Sequence, residues 1–77
     1  MDIIGIEITI RSRLLQVTNI APEILFRKNS KDILVIFQGN IPDEETTIKI
    51  ENVLRNIGKP IPNHSHDNSF ISFLIKR

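Results

Sequence analysis

Two short runs constrain this chain most: Ile-Leu-Val-Ile-Phe at 33–37 and Phe-Ile-Ser-Phe-Leu-Ile at 70–75. Both read as strands, and both are largely apolar at odd and even positions alike. A strand sends alternate side chains to opposite faces, so such runs lie centrally in a sheet and need cover above and below. The chain has 77 residues, enough for a single small domain over 1–77 and hardly enough for two covering layers. It has no cysteine, so neither a disulfide nor a thiolate metal site supports a thin core. A second copy of the chain is the natural source of missing cover.

The remaining segments are read around those two strands. Ile4, Ile6, Ile8 and Ile10 alternate with Gly5, Glu7 and Thr9, which is period two and predicts a strand over 3–10. After Arg11-Ser12-Arg13, residues 14–18 return as a second strand. Residues 20–28 fit either a short helix begun at Pro22 or a strand running into the Asn29-Ser30-Lys31-Asp32 turn, and the strand is preferred. One main helix is predicted at about 43–57: Ile50, Val53, Leu54 and Ile57 fall at i, i+3, i+4 and i+7. Either Asn40 or Asp43 caps it, Glu44 and Glu45 suit its positive end, and Gly58 stops it. Residues 59–68, with Pro60 and Pro62, read as a polar loop. No internal repeat is visible. The expected fold is α+β: a four- or five-stranded antiparallel or mixed sheet with the 43–57 helix packed on one face.

Chemistry-bearing constellations are few. His64-Ser65-His66-Asp67 gathers metal-ligand residue types, but a site needs further ligands and rigid support, and the flanks are Pro60, Pro62, Asn63 and Asn68. The expectation is therefore no bound metal or cofactor, with His64, His66 and Asp67 as the candidates should one bind. The glycines are isolated, and no nucleophile stands in a recognisable elbow. The chain is thus expected not to be an enzyme; an enzyme working through the His64–Asp67 loop ranks third among its functions.

Charge is nearly balanced, at +1, which argues against a strongly basic nucleic-acid binder. Its distribution is uneven: Arg11, Arg13, Arg27, Lys28 and Lys31 meet only Glu23 between 11 and 31. These five form a candidate contact for nucleic acid or an acidic partner, and weak nucleic-acid binding is the alternative function. Ile48 breaks the polar face of the 43–57 helix and is a candidate protein contact. No apolar run approaches a membrane span, and the opening Met-Asp lacks the positive region of a secretory signal, so a cytoplasmic protein without membrane attachment is expected. The leading reading is a non-enzymatic protein-interaction module, self-associating as a homodimer or larger, of regulatory, accessory or inhibitor type.

Overall fold

A computed structural model describes residues 3–27, 30–67 and 69–77. The chain runs α1 (Ile3–Leu14), β1 (Glu23–Phe26), β2 (Ile33–Gln38), α2 (Glu44–Leu54), β3 (Lys59–His64) and β4 (Phe70–Lys76). The four strands form one antiparallel sheet in the order β1-β2-β4-β3. The two apolar runs are its two central strands, and the fold is α+β as expected.

Register sorts the side chains. Ile24 pairs with Val35, Phe26 with Ile33, Val35 with Phe73, and Phe37 with Ile71. Those residues share one face with Ile75, and Ile10 and Leu14 of α1 and Ile50 and Leu54 of α2 join them in a single core. Both helices therefore cover the same face. Phe37 and Phe73, diagonal neighbours across the central pair, meet edge to face with ring centroids 6.4 Å apart at 90°, a geometry worth about 0.5–1.5 kcal/mol beyond burial.

Three expectations are corrected. Residues 3–10 are not a strand: they belong to α1. Two residues apart on a helix is about 200°, so the alternating isoleucines split into two stripes, Ile6 and Ile10 inward and Ile4 and Ile8 outward. Leu14 and Val17 extend the inner stripe at i+4 and i+7 from Ile10, and that continuation favours helix over strand. Residues 14–18 are not a second strand but the closing turn of α1, where Val17 N and Thr18 N donate to Leu14 O at 3.0 and 2.9 Å. Residues 59–64 are not loop but an edge strand. Ser65 N donates to Phe70 O at 3.1 Å, so 65 and the other odd positions of β3 bond to β4 while Pro60 and Pro62 aim their missing N–H groups outward. Prolines that forbid a central strand are harmless there.

The preference for a strand within 20–28 holds, with β1 at Glu23–Phe26. The main helix begins where Asp43 caps it, accepting from Thr46 N at 2.7 Å. A repeat invisible in the sequence exists in the topology: α-β-β occurs twice, and the second strands of the two halves pair at the centre.

Gly39 has φ +85°, a backbone that L-residues rarely adopt, with open space around its missing side chain. Gly58 is needed for another reason: a Cβ there would lie 2.6 Å from Lys76 O and 2.8 Å from Ile75 Cγ2. Gly58→Ala is expected to cost about 1–3 kcal/mol by forcing β4 aside, and Gly39→Ala about 1 kcal/mol or somewhat more through φ alone. Urea melts of both variants check the difference.

Candidate interaction surface

The His64–Asp67 segment closes the β3–β4 hairpin. Ser65 Oγ accepts from Ser69 N at 2.8 Å and Phe70 N at 3.1 Å, and donates to Phe70 O at 3.3 Å. Asp67 accepts from Ser69 N at 3.0 Å, and hydrogen bonds from Ser69, then Ser65, hold its carboxyl below the usual range. His64 ends β3, His66 sits in the turn, and both are exposed. Among the described residues, no group of three or more His, Cys, Asp or Glu side chains is placed to hold a metal ion.

The basic stretch is divided by the fold. Arg11 donates from Nη1 to Pro22 O at 2.9 Å and lies 3.7 Å from Glu7. Arg13 is on the opposite flank of α1, where it lines a cleft against α2 with Thr9, Asn56 and Arg77. That cleft holds about 200 Å³, below the roughly 300 Å³ at which small-molecule sites begin. Arg27 is exposed beyond the far end of β1, Lys31 is exposed in the hairpin, and Lys28 lies outside the described residues. Ile48 is 55% exposed on α2 and borders a groove with Glu51, Pro62 and His64.

The sheet face away from the helices has no covering layer among the described residues. Register places Leu25, Leu34, Leu74 and Ile61 side by side across β1, β2, β4 and β3. Leu25 and Ile61 are 45% and 42% exposed, while Leu34, Leu74 and neighbouring Ile36 are half-buried. One end of this face carries Arg27, Lys76 and Lys59 around Asp32, whose carboxylate holds Lys76 Nζ at 3.0 Å. The other end carries Glu23 beside Ile36, Ser72 and Asn63. A second apolar strip runs along α1, where Ile4, Ile8 and Leu15 are 68%, 58% and 69% exposed.

Of these residues, Leu34, Ile36 and Leu74 were findable from the two-sided strands. Ile61 was hidden inside a presumed loop, and Ile4 and Ile8 inside a presumed strand. Among the described residues, no helix is long and apolar enough to cross a membrane. Compared with protein-family models, curated proteins and solved structures, the chain matches none of them.

Two carboxylates are held in their charged form by local hydrogen bonds: Asp67 by Ser69, and Asp43 by Thr46 at the start of α2. A folded pKa below the unfolded one adds stability that is present above the unfolded value and lost as pH falls through the folded one. Unfolding free energy is therefore expected to fall as pH drops below the ordinary carboxylate range, with a shallower drop in an Asp43→Asn, Asp67→Asn double variant. Urea titrations across that range measure both slopes.

Proposed function

We propose that the protein is a non-enzymatic interaction module that works as an assembly of its own copies, joined through the uncovered face of the sheet. The observation that carries this reading is the row Leu25, Leu34, Leu74, Ile61, which crosses all four strands on the side opposite the helices. Soluble monomers rarely leave contiguous apolar patches larger than a few hundred Å² in water, and patches of that order often mark interaction sites. Two sheets pack face to face about 10 Å apart with interdigitating side chains, and this face offers the residues for such a layer.

A second copy is the occupant that the charges favour. A two-fold axis along the row sets each of the four residues against its own equivalent. The same axis lays the end bearing Arg27, Lys59 and Lys76 over the end bearing Glu23. The arrangement is isologous and self-limiting. The structural employment of the His64–Asp67 segment in hairpin closure supports a binding role over a catalytic one.

Light scattering at micromolar concentration is expected to return at least twice the 8.9 kDa of one chain. Leu34→Lys puts a charge at the centre of the row without entering the core. It is expected to weaken this contact at least about tenfold, since it desolvates an ammonium on association. A monomer whose cooperative unfolding is independent of concentration overturns the proposal.

A further inference from the structure

We infer that β1 is a second self-association site, at which another copy of the chain adds its own β1 antiparallel across a two-fold axis at Leu25. This inference assumes the self-associating reading above but rests on a different surface, the edge of the sheet and the flank of α1.

The two edges of the sheet are not alike. The outward-facing positions of β3 include Pro60 and Pro62, which cannot donate, so that edge is blunted. On β1, Arg27 N donates to Asp32 O at 3.4 Å. Odd positions of β1 therefore bond to β2, and Ile24 and Phe26 direct their N–H and C=O groups outward. Neither is proline, and the edge is open.

The sequence of that edge is its own complement. Glu23-Ile24-Leu25-Phe26-Arg27 reads acidic, apolar, apolar, apolar, basic. Antiparallel pairing about Leu25 sets Ile24 opposite the second copy's Phe26 as a hydrogen-bonded pair, which is the parity that the outward groups require. It sets Leu25 against Leu25, and Glu23 against Arg27, twice. Shifting the register by two residues in either direction would set a charge opposite Leu25. Opposite charges directly across a strand pair stabilise it, whereas a charge facing leucine does not.

The helix beside this edge matches it. The flank of α1 bearing Thr9 and Arg13 faces α2. Arg11, on the other flank, reaches Pro22 at the start of β1. Ile4, Leu15 and Ile8 lie within an arc of about 40° on the outward side of α1, with Ile4 nearest Arg11. In the second half of the fold, the corresponding flank of α2 lines the groove against β3 with Glu44 and Glu51 beside the lone Ile48. One half thus pairs a charged flank with a proline-blocked edge, and the other pairs an apolar flank with an open edge. Addition of β1 to β1 sets the two copies of α1 on the same side of the joined sheet, one on each side of the new seam.

Edge and face contacts use perpendicular two-fold axes, and together they close at four chains. The chain has no cysteine, so Leu25→Cys supplies the sole thiol. Opposed Cα atoms in such a strand pair are about 4.5 Å apart, within disulfide reach, whereas sheets packed face to face hold them about 10 Å apart, beyond it. Leu25→Cys in a glutathione redox buffer is expected to form a covalent dimer nearly completely, with an Asn52→Cys control staying monomeric on a denaturing gel. Crosslinking is expected to persist when Leu34→Lys is added. Ile8→Lys, on the α1 flank and off the sheet face, is expected to weaken association without unfolding the chain. Crosslinking of Leu25→Cys no faster than the control, with Ile8→Lys leaving the mass unchanged, overturns the edge contact. If Leu34→Lys still lowers the mass in that case, the face reading survives alone. If Leu25→Cys crosslinks and Leu34→Lys changes nothing, the edge contact stands and the face reading falls.

Discussion

The antiparallel pairing of β2 with β4 is the interaction on which the rest of the molecule depends. It brings together Ile33, Val35, Phe37, Ile71, Phe73 and Ile75, six of the eleven residues of the core, from segments far apart in the chain. Each helix has only two fully buried residues, Ile10 and Leu14 in α1, Ile50 and Leu54 in α2. Neither helix has a core without the central pair to lie on. The edge strands depend on it too, since β1 hydrogen-bonds only to β2 and β3 only to β4. Contacts of such long sequence separation are costly to form, because loop-closure entropy is paid before they return any burial.

The same pairing explains why one face is bare. Two helices of 12 and 11 residues are about 17 Å long each at 1.5 Å per residue, enough to roof one side of a four-stranded sheet and no more. Both helices pack on the same face of the sheet, so the second helix adds width to one layer instead of making a third. The strand sequences nevertheless carry apolar residues on both faces. The result is a two-layer domain whose strands carry apolar side chains on both faces, and this is the feature on which the proposed assembly rests.

The central strands were legible as short continuous apolar runs bounded by turn residues, and α2 by its helical period. Residues 33–37 and 70–75 are too short and too branched for a helix, and Ile50, Val53, Leu54 and Ile57 do not alternate. Residues 3–10 were misread because isoleucine at every second position satisfies a strand and also a helix with two opposite stripes; the deciding residues, Leu14 and Val17, lie beyond the alternating run. Residues 59–64 were misread because proline argues against a strand only when its missing N–H is needed. Whether it is needed depends on the register with β4, a long-range fact. The outer-face row shares this dependence: Leu25, Leu34, Leu74 and Ile61 become neighbours only once three registers are known. The His64–Asp67 segment stood out by residue type, while its physical work is done by the hydroxyl of Ser65 between the histidines.

The asymmetry between the two halves bears on how far an assembly can grow. A four-stranded sheet with two open edges would add copies at both, and successive head-to-tail additions do not close. Such sheets extend into fibres. Here Pro60 and Pro62 remove two of the three outward donors of β3, leaving His64 alone at its end, so β1 is the edge better able to accept a strand. Addition through one edge about a two-fold axis consumes that edge in both partners. In the inferred assembly, what would remain at either end of the joined sheet is β3 with its prolines, so growth in the plane would stop at eight strands. The prolines that concealed β3 in the sequence are thus the feature that makes an open β1 edge tolerable, and a chain with β1 open and no prolines in β3 would lack that stop.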